Sequence, residues 1–256
     1  MTPENGDLVE SGGKLRLFMS DALGEGARLI PSAEQCHYLL HVMRARVGAG
    51  LRVFNGRDGE WRARISEAGR KGCVLRCEKP IAPQSTTPDI WLAFAPIKKT
   101  PADYLAQKAT ELGVRVLQPV LTHRTIARRV NIERMRANAI EAAEQSGRMD
   151  VPDVRAPIVL DALLKEWPRE RALIFCDEGG DAPRIADTLL RDMKNDLAWG
   201  VLTGPEGGFD DAERAAIHTH ASVMAVTLGP RIMRADTAAI SALAILAAIR
   251  GDWRTT

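Results

Sequence analysis

A short apolar run that ends in a glycine-rich turn constrains the fold of this chain most. Residues 199–203 have the length and composition of a buried strand, and Gly204-Pro205-Glu206-Gly207-Gly208 follows at once. Asp210 and Glu213 have the spacing of a capping box, which predicts that a helix begins after the turn. The turn therefore lies at a strand's carboxyl end, where ligands bind in open α/β sheets. For this loop alone, a turn that merely connects two elements fits equally well.

A second loop of the same kind follows the apolar run at residues 223–228. It reads Leu228-Gly229-Pro230-Arg231-Ile232-Met233-Arg234-Ala235-Asp236-Thr237 and comes about one helix and one strand after the first. The glycine patterns of the common phosphate sites, G-x-x-x-x-G-K-[ST] and G-x-G-x-x-G, are not found. Because glycine lets backbone groups approach a ligand closely, the pair of loops favours a ligand site over two simple turns.

The part of the chain after residue 88 alternates between strand-length apolar runs and helical patterns, which is typical of an α/β domain with a mainly parallel sheet. Strands are predicted at residues 90–95, 114–120, 172–176, 199–203 and 223–228. Thr100 is predicted to cap a helix that has Pro101 in its first turn and ends at Gly113, and Asn131 to open one that runs to about Ser146.

The N-terminal part has a different pattern, with short β segments at residues 51–54, 61–65 and 73–77. Asn55-Gly56 and Asp58-Gly59 between such segments indicate a hairpin, and one helix is predicted near residues 32–44. A small β-barrel at residues 15–80 is the simplest arrangement. Residues 1–14 are predicted to be a disordered tail, residues 81–88 a Pro/Ser/Thr linker, and residues 89–256 the α/β domain.

The positive charge of the chain is concentrated in this N-terminal part. The whole chain has a formal net charge of +2, but residues 15–80 carry twelve lysines and arginines against seven aspartates and glutamates. Such a bias suits a polyanion such as nucleic acid, although a solvated arginine-rich surface has the same composition.

Composition also restricts the class of protein. A hydrophobic content of 45% is ample for a packed core, and neither a membrane-length apolar stretch nor a signal-peptide core is found, so a cytoplasmic protein is predicted. The four cysteines contain no C-x-x-C pair and are interpreted as buried thiols. His37 and His41 share a helical face but lack the glutamate of H-E-x-x-H, so they are interpreted as structural or RNA-facing, and no metal site is predicted.

As a set, these motifs closely resemble the RsmE family of bacterial 16S ribosomal RNA uridine N3-methyltransferases, in the SPOUT superfamily. The resemblance covers roughly residues 15–250. Besides the two loops, it rests on segments that occur in the family's order: His41-Val42-Met43-Arg44, Glu111-Leu112-Gly113-Val114 and Glu141-Ala142-Ala143-Glu144-Gln145-Ser146-Gly147-Arg148. It implies a C-terminal trefoil-knotted SPOUT domain and an N-terminal PUA-like RNA-binding barrel.

One departure and one further implication concern the C-terminal helix. Where the family pattern usually reads Leu-Arg-Thr-Glu-Thr-Ala, this chain has Met-Arg-Ala-Asp-Thr-Ala, so Asp236 keeps the charge with a shorter reach. The helix from Thr237 to about Arg250 is apolar on every side, which predicts burial. Burial within one subunit would explain it; the resemblance implies that it lies near the partner of a homodimer.

The resemblance implies transfer of a methyl group from S-adenosylmethionine to N3 of one uridine in the decoding region of 16S rRNA, in the small ribosomal subunit. Backbone and apolar groups of the two loops would hold the cofactor, and Glu206 would orient one of its hydroxyls. The implied cofactor-binding residues are Leu202, Thr203, Gly204, Pro205, Glu206, Gly207, Gly208, Leu228, Gly229, Ile232, Met233 and Thr237.

The reaction also needs groups that act on the uracil and on the surrounding RNA. Neutral uracil is a poor nucleophile at N3, and a guanidinium at a uracil oxygen favours the anion, so Arg234 is predicted to be catalytic together with Glu206 and Arg148. A salt bridge from Arg234 to Asp236 or Glu206 is the alternative. Arg148, beside Gln145, would reach the target nucleotide or the partner subunit. The predicted RNA contacts are Arg44, Arg62, Arg64, Arg124, Arg128, Arg129, Gln145 and Arg148.

Three alternatives remain at this stage. Solvated surface charge fits the cluster of Arg124, Arg128 and Arg129 as well as phosphate contact does. A different SPOUT activity, such as ribose 2′-O-methylation, would use a similar cofactor site. A non-catalytic RNA-binding assembly factor would keep the barrel, but the intact loop glycines argue against it.

Overall fold

The chain forms two compact units. The computed structural model describes residues 15–70, 72–97, 99–127, 129–179, 181–191 and 198–254. The first unit comprises the described residues up to Thr86 together with Ala143–Val151, and the second comprises Thr87–Ala142 and the described residues from Pro152 onward. The tail predicted for residues 1–14 and the RNA contact predicted for Arg128 lie outside the described residues.

The first unit is built on a five-stranded mixed sheet with the strand order β1-β3-β4-β5-β2. Strand β1 pairs with β3 in parallel, and the other pairings are antiparallel. The strands are β1 (Arg16–Phe18), β2 (Arg28–Leu29), β3 (Gly50–Phe54), β4 (Glu60–Gly69) and β5 (Gly72–Ala82). Apolar side chains from all five meet in one core, in which Leu29, Leu51 and Leu75 are fully buried.

The predicted hairpin forms between β3 and β4. The Asn55 side-chain oxygen accepts hydrogen bonds from the backbone N–H groups of Arg57 and Asp58, which closes the turn. Gly56 and Gly59 have φ angles of 81° and 77°, a left-handed conformation that glycine adopts without strain. The Asn-Gly and Asp-Gly signals in the sequence reflect this backbone requirement.

Strand β5 extends into the stretch predicted to be a linker. Ala82 pairs with Glu60 of β4, so residues 81 and 82 belong to the sheet. Pro80 is tolerated there because β2 pairs with β5 only at Leu75 and Arg76, which leaves that side of Pro80 unpaired. The prediction that the linker begins at residue 81 was therefore wrong, because the proline-rich composition of the segment is not typical of a strand.

The predicted helix near residues 32–44 forms in two parts. Helix α1 (Ala33–His37) begins with a capping box between Ser32 and Gln35, and a π-helical turn continues it at Tyr38–Val42. The rings of His37 and His41 lie 5.0 Å apart, which confirms that they share a face.

A buried arginine explains why residues 143–151 belong to the first unit. Arg16 of β1 lies 2.5 Å from a carboxylate oxygen of Glu60, and both side chains are 6% exposed. The same guanidinium donates to the carbonyl oxygens of Ala143 at 2.9 Å and Arg148 at 2.9 Å. Arginine at a helix C-terminus satisfies carbonyl groups that the helix itself cannot bond.

The second unit contains a mainly parallel sheet with the strand order β12-β10-β11-β6-β7-β8, and β9 pairs with β7. Its strands are β6 (Ile90–Phe94), β7 (Val116–Leu121), β8 (Asp153–Val154), β9 (Ile158–Val159), β10 (Arg171–Cys176), β11 (Ala198–Thr203) and β12 (Val223–Val226). Its helices are α2 (Lys99–Glu111), α3 (Ile132–Ser146), α4 (Leu160–Glu166), α5 (Ile185–Arg191), α6 (Asp211–Thr219) and α7 (Ala235–Arg250), with a 3₁₀ turn at Asp252–Arg254. Helix α3 ends in the first unit.

Two apolar clusters cover this sheet. One joins α2, α5 and α7 to the strands through residues such as Leu105, Leu189 and Leu243. The other joins α4 and α6 through Leu163 and Ile217. A parallel sheet covered by helices is the arrangement predicted from the alternating pattern.

The helix starts agree only partly with the predictions. Asn131 caps α3, since its side-chain oxygen accepts from the backbone N–H of Arg134 at 2.9 Å. Helix α2 begins at Lys99, so Thr100 lies inside the helix and the prediction that it is the cap was wrong. Proline at position 101 suits any position of a first helical turn, and therefore did not fix the boundary.

Candidate functional site

Three parallel strands bring the two glycine-proline loops to one edge of the sheet. Strand β10 lies between β11 and β12 and is parallel to both. The loops that follow these strands therefore start at the same edge, although the sequence separates them by a helix and a strand. This is the ligand-binding edge of an open α/β sheet.

The loop after β11 needs its glycines for packing. Gly208 has a φ of 66°, and a Cβ atom there would overlap the carboxylate of Glu178. A Cβ atom at Gly204 would lie 2.8 Å from the ring of Phe209. Gly207 differs, because it is exposed and, among the described residues, a Cβ atom there would meet only the side chain of Arg124, at 3.6 Å. The loop is thus tightly packed at Gly204 and Gly208 and exposed at Gly207.

The loop after β12 presents backbone and apolar groups to open space. Gly229 has a φ of 119°, and among the described residues no heavy atom lies within 4 Å of a Cβ placed there. Ile232 is 86% exposed. Arg234 is also exposed, and its backbone begins α7 without a hydrogen bond from its own side chain. An exposed isoleucine beside an accessible glycine backbone suits a flat, partly apolar ligand.

Asp177, directly after β10, connects helix α6 to the end of β12. Its carboxylate accepts from Arg214 at 2.9 Å and contacts Nε2 of His218 at 2.9 Å, and its backbone N–H bonds the carbonyl of Val226. Burial raises the pKa of Asp177, but the hydrogen bonds from Arg214, the backbone N–H of Gly179 and His218 outweigh it, so the pKa is lowered overall. The carboxylate is therefore a structural anion that holds α6 against β10.

The loop after β7 reaches the loop after β11. His123 Nδ1 lies 2.5 Å from an Asp210 oxygen, and its backbone N–H donates to Glu213 at 2.8 Å. Arg124 donates to the carbonyl of Gly207 at 2.9 Å. The capping box predicted for Asp210 and Glu213 is confirmed. All four carboxylate oxygens of this pair accept hydrogen bonds, so the pair serves to fix the start of α6.

The residues predicted to bind the cofactor all lie in or beside the two loops. The side chains of Leu202 and Thr203 are buried at the end of β11, so they shape the site from within. Thr237 lies in the first turn of α7, where its N–H bonds the Asp236 carboxylate at 2.8 Å. Among the described residues, Arg234 makes no ion pair with Asp236 or Glu206, so the predicted alternative for this arginine is not observed.

Two of the other predicted site residues belong to the segment at the end of α3. Gln145 and Arg148 belong to the first unit, where Arg148 is 7% exposed and pairs with Asp150 at 3.0 Å. Catalysis by Arg148 stays a prediction, and it would require this pair to open. Arg129 is exposed in the same segment between β7 and α3 as Arg124. The sequence analysis missed His123 and Asp177, although an acid that directly follows a buried strand is a signal for Asp177.

Family comparisons agree with both units. A family model described as an RNA methyltransferase domain matches residues 84–247, and one described as an RNA methyltransferase PUA domain matches residues 31–77. The ribosomal RNA small subunit methyltransferase E of Rickettsia conorii is 31% identical over 231 residues, which cover 90% of this chain and 93% of that protein. The chain belongs to the ribosomal RNA small subunit methyltransferase E family.

Two other members of the family support this assignment. The protein of the same name from a Synechocystis strain is 32% identical over 219 residues, covering 84% of this chain and 71% of that protein. The crystal structure of the family member from Neisseria gonorrhoeae is 27% identical, covers 94% of this chain and 100% of that one, and has a TM-score of 0.83. That protein was crystallised bound to S-adenosyl methionine. Within the described residues, no helix is long and apolar enough to span a bilayer.

Proposed function

We propose that this chain transfers a methyl group from S-adenosylmethionine to N3 of a uridine in 16S rRNA of the small ribosomal subunit, in the cytoplasm. The observation that carries the proposal is the meeting of two glycine-proline loops at one sheet edge, with the exposed Arg234 at the end of the second. The names of the relatives support the substrate class.

The loops fit the cofactor that the family implies. The cofactor carries a charged methionine chain joined through a sulfonium, a ribose with two hydroxyls and a flat adenine. Open space beside the Gly229 backbone and the exposed Ile232 suit the flat base, and exposed Glu206 suits a hydroxyl. When bound, S-adenosylmethionine supplies an electrophilic methyl group. The residues of this chain bind it, orient it and limit its access to water.

Arg234 is the group proposed to act on the uracil. Its side chain neither caps α7 nor forms an ion pair among the described residues, so its five N–H donors remain available. A guanidinium aimed at a uracil oxygen stabilises the negative charge that develops when N3 loses its proton. Helix α7 holds the Arg234 backbone at the loop end, where the Ala238 N–H bonds its carbonyl at 2.8 Å.

The RNA must present its base to this edge. A stacked or paired uridine hides N3, so the target nucleotide is expected to turn out of its helix into the site. Arg124, which bonds the first loop, and Arg129, which is exposed in the same segment after β7, are proposed to contact phosphates around the target nucleotide.

A homodimer is part of the proposal. One face of α7 is buried in the core, with Ala239, Leu243 and Leu246 fully covered. Ile240, Ile245 and Ile249 are only partly buried. Apolar side chains that one chain leaves partly uncovered suit contact with a second copy. Light scattering at micromolar concentration tests this: a mass of twice 28.0 kDa is expected, and a stable, active monomer would contradict it.

The activity is tested by methyl transfer to ribosomal subunits. Purified chain is mixed with labelled S-adenosylmethionine and with small or large subunits from cells that lack the modification, and the label in each rRNA is measured. Label in 16S rRNA alone is expected. Cofactor binding by calorimetry without any transfer to either subunit would indicate a binding module, and label in the large subunit would indicate a different substrate.

A further inference from the structure

An exposed ridge on the first unit has no role in the site described above. It comprises residues 37–47, which end helix α1, form the π-helical turn and lead towards β3. Leu39 and Ala45 anchor it in the core, at 0% and 9% exposure. The exposed side chains of this 37–47 ridge are His37, Tyr38, His41, Val42, Met43, Arg44, Arg46 and Val47.

The ionisable side chains of the ridge, apart from Tyr38, are all basic. It contains two arginines and two histidines, and no aspartate or glutamate. Among the described residues, neither Arg44 nor Arg46 makes an ion pair. Arg62 and Arg64, the other predicted RNA contacts of this unit, lie 3.2 Å and 2.5 Å from oxygens of Glu78, which offsets part of their charge. The ridge therefore carries two arginines whose charge no carboxylate of the described residues pairs with.

The ridge also exposes apolar and aromatic surface. Val42 is 58% exposed, Tyr38 38% and Met43 37%. The rings of His37 and His41 lie 5.0 Å apart beside them. Protein surfaces that bind unpaired nucleotides combine flat rings with arginines, because bases stack on the rings and phosphates contact the cations.

The backbone of Arg44 is unusual. Its φ angle is 53°, a left-handed conformation that a residue other than glycine adopts with strain. The N–H of Met43 bonds the carbonyl of Tyr38 at 2.9 Å, and that of Ala45 bonds Leu39 at 2.9 Å, so the turn is firmly held. Glycine would suit the backbone better, and the presence of arginine there indicates use of its side chain.

We infer that the 37–47 ridge is the principal RNA-binding surface of the first unit and takes unpaired rRNA nucleotides. Arg44 and Arg46 bind phosphates, and Tyr38 with the histidine pair stacks on bases. A second copy of the chain fits the ridge less well, since two ridges facing each other would oppose their arginines. The inference rests on the proposed function, because it assumes an rRNA substrate.

The test measures binding separately from catalysis. The full-length chain is titrated with small subunits reconstituted from unmodified 16S rRNA transcript, and the Kd is measured at several salt concentrations. Arg44→Gly removes the cation but suits the left-handed backbone, so the fold is retained, and Arg44→Lys restores the charge. Arg28→Ala is the matched control, because Arg28 is an exposed arginine of the same unit that already lies 3.9 Å from Glu67.

The expected results are specific. Arg44→Gly combined with Arg46→Ala raises the Kd at least tenfold, and the salt slope falls by about 1.4, which corresponds to two lost single-strand phosphate contacts. Tyr38→Ala raises the Kd about fivefold or more without changing the salt slope, as loss of stacking predicts. Arg44→Lys recovers most of the affinity, and Arg28→Ala stays within twofold of the original chain.

Two results would overturn the inference. One is an unchanged Kd for the Arg44 and Arg46 variants in a chain that methylates the subunit, and the other is a larger loss from Arg62→Ala with Arg64→Ala. If ridge variants instead lose only dimer mass or contact with a ribosomal protein, the surface binds protein and the inference also fails. Normal subunit binding through the ridge without methylation would contradict the proposed function and leave the ridge assignment standing.

Discussion

Arg124 Nη1 donates a hydrogen bond of 2.9 Å to the carbonyl oxygen of Gly207. Arg124 follows β7 and Gly207 follows β11, and β6 lies between these two strands in the sheet. The bond therefore fixes an exposed peptide of the first glycine loop. Arg124, predicted from the sequence as an RNA contact, thus holds the loop that is proposed to bind the cofactor.

Arg124→Ala is expected to weaken S-adenosylmethionine binding about fivefold. The loss corresponds to one hydrogen bond of about 1 kcal/mol, which now keeps the Gly207 peptide in place. Calorimetry measures the Kd. Arg129→Ala removes the same charge from the same loop without touching Gly207, so its cofactor affinity should match that of the original chain. Equal losses in both variants would mean that the effect comes from charge alone.

Gly207→Val is expected to abolish measurable cofactor binding and leave the fold intact. Among the described residues, a Cβ atom at this position meets only the side chain of Arg124, and the valine is expected to project into the space assigned to the ligand. Gly208→Ala provides the contrast, because its φ of 66° makes any Cβ unfavourable by about 1 kcal/mol and lowers the melting temperature. Thermal unfolding and calorimetry together separate the two cases. A folded Gly207→Val chain with normal affinity would remove this loop from the site.

The contact between His123 and Asp210 predicts a pH-dependent stability. A hydrogen bond with Asp210 raises the pKa of His123, and the backbone N–H of Glu213 together with His123 lowers the pKa of Asp210. The pKa of His123 is higher in the folded chain than in the unfolded chain. The stability that its charged form contributes is therefore fully present below the ordinary histidine pKa of about 6.5, and it is lost as pH rises through the raised pKa of the folded chain. Asp210 stays ionised throughout this range.

The measurement is the difference in Tm between the original chain and His123→Gln from pH 5.5 to 9. The difference should be largest at the acidic end and shrink as pH increases. Asp210→Asn should give the same profile, since either change removes the charged pair. A difference that is constant with pH would show that the charge of the His123 side chain does not contribute to stability.

Local patterns in the sequence predicted the parts of the site that depend on neighbours along the chain. The capping box of Asp210 and Glu213 needs only three residues of separation, and it formed as expected. Strands β10 and β11 were located to within one residue, because each is a continuous apolar run between polar segments. Asn131 was identified as a cap for the same reason.

Features that depend on distant pairing were not predictable in this way. Strand β1 has three residues and exists because it pairs with β3, some 36 positions along the chain, as in Arg16 opposite Arg52. The bond from His123 to Asp210 spans 87 positions, and that from Arg16 to the Ala143 carbonyl spans 127. No local pattern in the sequence predicts that these residues are in contact.

Arg234→Ala is expected to lower single-turnover methylation about a hundredfold, with little change in the Kd for cofactor or subunit. A donor that stabilises developing charge acts in the transition state, and losing one such donor costs about two to three orders of magnitude. Arg231→Ala is the control, because this arginine is exposed in the same loop. If Arg234→Ala retained the original rate, the uracil would be activated by another group.

The measurement that tests the central claim most directly is the identity of the methylated nucleoside. Small subunits from cells lacking the modification are incubated with the chain and S-adenosylmethionine, and their 16S rRNA is digested to nucleosides for mass spectrometry. A single uridine product whose methyl group remains with the base on fragmentation, and which co-elutes with 3-methyluridine, is predicted. A methyl group on the ribose would contradict the assignment of N3 while leaving the cofactor site intact.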